Sequence, residues 1–139
     1  MKEPAEAQHI YTWLDRMAAT VTNKQLPEHM ELVSNKVEVY GNPSKEVINY
    51  MGWYKRRKNE FEKNSVICLT FSGVKIKTIA QRRIIFNVNE TIAGTDGRIL
   101  LMNKDVTLER EDDDQWRVVE ENIRSWKQQK MNEAMASNG

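Results

Sequence analysis

The feature that most constrains the fold is an alternation of apolar and polar residues through the last third of the chain. It runs through three strand-length segments, residues 82–92, 98–110 and 115–123, which are separated by short polar turns at 95–97 and 112–114. A period of two is typical of β-strands that bury one face, and tight turns join neighbouring strands in antiparallel order. The sequence therefore predicts a twisted antiparallel meander.

Helical patterns precede the meander. In the first helix, expected from about Pro4 to Asn23, apolar residues recur at spacings of three and four. This stripe consists of Ile10, Tyr11, Leu14, Met17, Ala18 and Val21. A second, shorter helix is expected to begin at Leu26, and a short strand at 37–40 should follow it.

A third helix is expected to begin at residues 42–44, because Pro43 suits a first helical turn. Its predicted apolar stripe is Val47, Tyr50, Met51 and Tyr54, with Ile48 and Trp53 at the edges. A strand over 66–79 should follow, with a bulge or bend at Gly73.

Composition limits the class of protein. The 139 residues are 40% hydrophobic and 29% charged, which predicts one globular domain over 1–139. The end of the chain, at 125–139, is expected to be a partly helical tail. The net charge of +1 argues against binding to nucleic acid or to a membrane. The single cysteine, Cys68, excludes an internal disulfide, and without an export signal we expect a cytoplasmic location.

The last hairpin can be placed in register from its turn at Asp113. This register pairs Arg110 with Trp116 and Lys104 with Asn122. The inner face then contains Met102, Lys104, Val106, Leu108, Trp116, Val118, Glu120 and Asn122. The outer face contains Ile99, Leu101, Asn103, Asp105, Thr107, Val119, Glu121 and Ile123. A shift of one residue would exchange the two sets.

This order of elements resembles the nuclear transport factor 2-like superfamily, which includes SnoaL-like cyclases and ketosteroid isomerases. The resemblance covers about residues 7–124, and its motifs lie at 36–41, 96–99 and 114–119. It implies an α+β fold in which a cone-shaped, curved antiparallel sheet packs on three N-terminal helices. It also implies a pocket inside the cone and, commonly, a homodimer through the outer sheet face.

The family's catalytic residues mostly have no counterpart here. The position of the ketosteroid isomerase base is Tyr40, and that of the acid on the penultimate strand is Lys104. Tyr11 is the one possible match, to an aromatic hydroxyl on the first helix. His9 and His29 lie at helix starts, where we expect them to face solvent, and their spacing does not favour a metal site. We therefore expect neither a metal nor a cofactor.

The inner face and the helices supply candidate site residues. Lys104 and Glu120 are candidate catalytic groups, although an ion pair that closes the cavity is the alternative interpretation. The candidate ligand-binding residues are Tyr11, Tyr40, Tyr50, Trp53, Tyr54, Met102, Lys104, Glu120 and Asn122. Aromatic residues at helical spacing also fit a simple core role.

Two classes of function follow from this pattern. The first is a domain that binds a small apolar or anionic molecule without catalysis. The second is a cofactor-independent cyclase, isomerase or dehydratase that uses Lys104, Glu120 and a pocket tyrosine as acid–base groups. Independently of these, an apolar patch on the outer face predicts a homodimer. The patch residues are Ile99, Leu101, Val119 and Ile123.

Overall fold

The computed structural model of the chain describes residues 4–130. A short 3-10 turn at Ala5–Ala7 precedes three helices, which are α1 (Gln8–Thr22), α2 (Leu26–Met30) and α3 (Tyr50–Glu62). The five strands are β1 (Val33–Tyr40), β2 (Val66–Ile79), β3 (Arg83–Gly94), β4 (Arg98–Arg110) and β5 (Trp116–Lys130).

The strands form one sheet in the order β1-β5-β4-β3-β2. The pairs from β2 to β5 are antiparallel, as the meander predicts, and a bulge at Gly73 interrupts the pairing of β2 with β3. β1 pairs in parallel with β5, so the sheet is mixed and not wholly antiparallel. The α+β architecture of three helices on a curved sheet is confirmed.

The core lies between the helices and the concave face of the sheet. Helix α1 packs against β2 and buries the stripe residues Ile10, Leu14, Met17 and Val21, while Tyr11 stays half-buried. The stripe also includes Trp13, which the sequence pattern did not single out. Its indole Nε1 donates to the carbonyl oxygen of Leu32 at 3.0 Å and so links the helix to the start of β1.

Helix α3 begins six to eight residues later than predicted. The side chain of Asn42 holds a turn, because its Oδ1 accepts from the backbone nitrogen of Ser44 at 3.1 Å and its Nδ2 donates to the carbonyl oxygen of Glu46 at 3.0 Å. Ile48 then pairs with Val39 through two backbone hydrogen bonds. Asn49 is the true N-cap, since its side chain accepts from the backbone nitrogen of Gly52.

This later start changes which residues α3 buries. Trp53 and Arg57 are its buried residues, whereas Val47 and Met51 of the predicted stripe are each 52% exposed. Tyr50 and Tyr54 are half-buried. The predicted stripe of the third helix is therefore wrong at Val47 and Met51, and the most deeply buried side of the helix passes through Trp53 and Arg57.

The last hairpin has the predicted register only near its turn. Arg110 lies opposite Trp116 and Leu108 lies opposite Val118, but Glu120 then lies opposite Thr107. Val119 is therefore an extra residue, a β-bulge, and it shifts β5 by one position as far as Ile123, after which a second irregularity shifts the pairing again. Beyond the bulge Glu121 and Ile123 face inward with Lys104, and the predicted inward Glu120 and Asn122 do not.

Strand β5 is longer than predicted. It continues through residues 124–130, so the partly helical tail is wrong there, and residues 131–139 lie outside the described part of the chain. Gly41, directly after β1, has a φ of +80°, and a Cβ there would overlap the carbonyl oxygen of Ile123. Only glycine fits this close approach to β5 without strain.

Correcting the register also changes the predicted dimer patch, because Ile123 points into the cone and Val119, the bulged residue, is only 9% exposed. The neighbouring centre of the outer face is polar: Asp105 accepts from Asn87 at 3.0 Å and from Arg124 at 2.7 Å, and it pairs with Lys77 at 3.0 Å. Burial by itself would raise the pKa of Asp105, but these partners outweigh it and lower the pKa to about 2. Asp105 is therefore ionised at neutral pH.

Candidate functional site

A cavity of about 360 Å³ lies inside the cone, between α3 and the concave face of the sheet. Its wall includes the side chains of Val39, Ile48, Ile92, Leu100, Met102 and Ile123. Trp53 and Arg57 line it from α3, and the turn at 42–44 lines it from the segment before the helix. The mixture of an apolar wall with a few polar groups is typical of sites for small molecules.

The floor of the cavity is a buried network of charges centred on Lys104. Its Nζ lies 2.8 Å from Oε1 of Glu90 and 3.0 Å from both carboxylate oxygens of Glu121. The three residues are only 4%, 2% and 3% exposed, respectively. Burial alone would lower the pKa of Lys104, but the two carboxylates outweigh it and raise the pKa. Lys104 is therefore a protonated ion-pair partner and not a general base.

Glu121 has the opposite electrostatic setting. Burial raises the pKa of its carboxyl group and the nearby charge of Glu90 adds to this, while Lys104 opposes both without cancelling them. Glu120 and Glu121 are adjacent on β5, and the bulge at Val119 places Glu121, not Glu120, in the cavity. The carboxyl group of Glu121 consequently accepts a proton more readily than an ordinary glutamate.

A second buried cation, Arg57, joins this network to the helices. Its Nη1 donates to Oε1 of Glu60 at 2.8 Å, and its Nε donates to Nε2 of His29 at 3.3 Å. Arg57 as a whole is 8% exposed. Burial opposes its charge, but Glu60 and Glu90 more than compensate and raise the pKa of Arg57. It remains a cation at any relevant pH.

His29 is fully buried, so its expected exposure to solvent is wrong. Its Nε2 accepts from Trp53 Nε1 at 2.9 Å and from Arg57, which leaves the proton on Nδ1, 3.1 Å from Thr20 Oγ1. Thr20 in turn donates to the carbonyl oxygen of Arg16 at 2.8 Å. Burial, then the charges of Arg57 and Lys104, lower the pKa of His29 to about 3. The imidazole is therefore neutral and structural.

The cavity contains only part of the predicted ligand-binding set. Trp53, Met102 and Lys104 line it. Tyr50 and Tyr54 instead line a separate cleft of about 770 Å³ between α2, the start of β1 and the β4–β5 turn.

The remaining candidates also lie elsewhere. Tyr11 borders a hollow beside β2, and Tyr40 donates to Glu38 at 2.8 Å on the outside of the sheet. Glu120 and Asn122 contact each other at 3.3 Å, away from Lys104. Of the catalytic candidates, only Lys104 is therefore in the cavity.

Four residues of the site were missed in the sequence. Glu90 could have been found, because Ile84, Phe86 and Val88 are fully buried at alternate positions of β3 and the same alternation leads to Glu90. Arg57 is four residues after Trp53, which puts both on one helix face. Glu121 depends on a bulge that no glycine or proline marks, and His29 is buried by contacts with distant segments.

Comparisons with known proteins define the fold. No family model matches the chain, and no curated protein is similar to it in sequence. Among solved structures, a nuclear transport factor 2-like protein of unknown function from Shewanella oneidensis has a TM-score of 0.72 at 12% identity, with 85% of this chain and 98% of that chain covered. A Novosphingobium aromaticivorans protein provisionally assigned as a scytalone dehydratase has a TM-score of 0.71 at 14% identity, with coverage of 90% and 87%.

A third structure extends the range of activities on this fold. A type 2 hexachlorocyclohexane dehydrochlorinase (LinA) has a TM-score of 0.63 at 12% identity, with 90% of this chain and 89% of that chain covered. The chain thus has the nuclear transport factor 2-like fold, as the resemblance implies. The fold is shared by enzymes and by proteins of unknown function, so the activity has to be argued from the site. In the described residues no helix is long and apolar enough to cross a membrane.

Proposed function

We propose that the protein binds a small, mostly apolar molecule in the cavity of the cone. The observation that supports this is the combination of about 360 Å³ of space, a largely apolar wall and a floor of paired charges. Ligand sites in proteins have volumes of roughly 300–1,000 Å³ and combine an apolar lining with few polar groups. A purely structural ion pair would explain the floor, but it would not require the space above it.

Two neighbouring leucines of β4 give a matched test of this proposal. Leu100 lines the cavity, and Leu101 lies on the opposite face of the same strand. A thermal-shift screen against aromatic and alicyclic alcohols, ketones and acids should identify ligands. A ligand at a hundred times its Kd adds about 2.7 kcal/mol, which raises Tm by several degrees in a domain of this size.

The variant Leu100→Trp fills the cavity and should abolish the shift, whereas Leu101→Trp should retain it. Circular dichroism and the Tm without ligand check that both variants fold. Binding that survives Leu100→Trp, or a library that gives no shift with the unmodified protein, would contradict the proposal.

A second candidate function is acid–base catalysis by Glu121. The specific observation is a carboxyl group that lines the cavity and whose pKa is raised by burial. A raised pKa makes this carboxylate a stronger base towards a substrate proton than an ordinary glutamate. In this candidate function Glu121 takes the role predicted for Glu120, which lies outside the cavity, and Lys104 does not act as a base.

Catalysis and binding can be separated with one variant. Once a ligand is known, its conversion should be followed by chromatography with the unmodified protein and with Glu121→Gln. Catalysis predicts turnover that the variant loses while it still binds the ligand. Unchanged ligand after prolonged incubation with the unmodified protein would leave binding as the function.

We also propose a homodimer through the outer sheet face, now with Ile99 and Leu101 as its apolar part. Both are half-buried in the single chain, and an apolar group on an outer face is typical of a contact with a second copy. Sedimentation at micromolar concentration should give twice the mass of the chain, and a monomer would refute the proposal. The single cysteine continues to favour the cytoplasm.

A further inference from the structure

We propose that the polar group of the ligand is neutral and both donates and accepts a hydrogen bond, as an alcohol or phenol does. Neither a carboxylate nor an ammonium group would fit. This inference rests on the proposed binding function. It is argued from the charge balance of the cavity and from two polar atoms on its floor.

The charges that line the cavity balance. The cationic residues are Arg56, Arg57 and Lys104, and the anionic residues are Glu60, Glu90 and Glu121, three of each sign. The four most deeply buried of these, Arg57, Lys104, Glu90 and Glu121, also balance two against two. A ligand ion placed among them would lose its hydration without gaining a net opposite charge, which is unfavourable in a buried site.

Two atoms of this floor keep an unused hydrogen-bonding capacity. Oε2 of Glu90 accepts no hydrogen bond from residues 4–130, since Lys104 pairs with its Oε1. Nη2 of Arg57 donates none to those residues, because the other guanidinium nitrogens contact Glu60 and His29. Both atoms remain accessible from the cavity. If they were fully buried they would be without any partner, but in the described residues Arg110 Nε is the one fully buried side-chain nitrogen or oxygen of that kind. Both residues line the cavity.

A hydroxyl group meets both needs at once, because it donates one hydrogen bond and accepts others. It would donate to Glu90 and accept from Arg57. A carboxylate would accept from Arg57 but would be repelled by Glu90 and Glu121. An ammonium group would donate to Glu90 but would be repelled by Arg57 and Lys104.

Four probes with one ring system test the inference, namely 2-naphthylmethanol, 2-naphthoate, 2-naphthylmethylamine and 2-methylnaphthalene. Calorimetric titration of the unmodified protein near neutral pH should give the alcohol the lowest Kd, with the two ions weaker by about tenfold or more. The hydrocarbon should bind, but more weakly than the alcohol.

Two glutamine variants separate the hydrogen bond from the charge. Glu121→Gln removes one negative charge but leaves Oε2 of Glu90, so carboxylate binding should strengthen while alcohol binding changes little. Glu90→Gln likewise removes one negative charge, so carboxylate binding should strengthen. It also removes the free carboxylate oxygen, so alcohol binding should weaken. Circular dichroism shows whether each variant is folded, and the comparison of probes on the unmodified protein needs no variant.

The outcomes distinguish this inference from the function on which it rests. If none of the four probes binds, and the wider library gives no shift, the binding function itself fails. If the naphthoate or the amine binds as tightly as the alcohol, the pocket binds ligands but the inference is wrong. The inference is also wrong if Glu90→Gln leaves the Kd of the alcohol unchanged.

Discussion

The protein should lose stability on mild acidification, and replacing His29 with glutamine should abolish most of that loss. In the folded protein His29 is neutral, since its pKa is lowered to about 3 from 6.5. In the unfolded chain it keeps its ordinary pKa and takes up a proton as the pH falls. The stabilisation is therefore fully present above about pH 6.5 and is lost progressively as the pH falls from there towards 3.

The magnitude follows from these two values. Between about pH 7.5 and pH 5 the unfolded imidazole gains its proton and the folded one does not, so the free energy of unfolding falls by about 2 kcal/mol. That loss is a substantial fraction of the stability of a typical domain. Glutamine at position 29 keeps an acceptor for Trp53 and Arg57 but does not titrate, so the loss that is due to His29 should disappear.

Urea unfolding at both pH values, followed by tryptophan fluorescence, measures the effect. The protein has two histidines, and His9 is exposed and stacks on Trp116, so His9→Gln is the matched control. The His9→Gln variant should lose as much unfolding free energy between the two pH values as the unmodified protein does. Equal losses in His29→Gln and in the unmodified protein would refute the argument, and so would a loss that disappears in His9→Gln.

Two further predictions concern the packing around the site. Gly41→Ala should destabilise the protein by roughly 3 kcal/mol or more, since its Cβ would meet the carbonyl oxygen of Ile123. Gly97 has a similar φ of +83° but no atom near the position of a Cβ, so Gly97→Ala should lower the free energy of unfolding by only about 1 kcal/mol. Equal losses for the two glycine variants in urea unfolding would disprove the close contact at Gly41. Lys104→Met should lower the free energy of unfolding by about 3–5 kcal/mol, because it leaves two buried carboxylates without their cation. Lys36→Met breaks an ion pair of a side chain that is 61% exposed, so it should lower the free energy of unfolding by at most about 1 kcal/mol. Similar midpoints for the two lysine variants would show that the buried pairs are not needed.

The order of elements was predictable from the sequence because alternation and turn residues are local signals. The β4–β5 hairpin was also correct close to its turn, where Arg110 lies opposite Trp116. The prediction failed at Val119, since nothing in the composition of the strand marks a bulge there. One extra residue was enough to exchange Glu120 for Glu121 on the inner face.

Other errors arose from contacts between distant segments. Residues 42–44 have the composition of a helix start, but Asn42 uses its side chain to hold a turn, and the helix is capped by Asn49. His29 follows a proline in a short helix, a position usually exposed, and it is buried because Trp53 and Arg57 close over it. Such contacts depend on the whole fold and have no local signature. The single-domain organisation stays a prediction.

The bulge at Val119 makes the chemistry of the cavity depend on the pairing of β5 with β4 as well as on residue type. If Val119 instead paired with Thr107 in a regular ladder, the following residues would turn over, so that Glu120 and Asn122 would face inward. Because Glu120 and Glu121 are identical and adjacent, a carboxyl group would remain beside Lys104 in either register. The wall would change instead, since an amide would take the place of Ile123. Strand β5 thus keeps its acid through a slip of one residue and alters only the polarity of the space that a ligand would occupy.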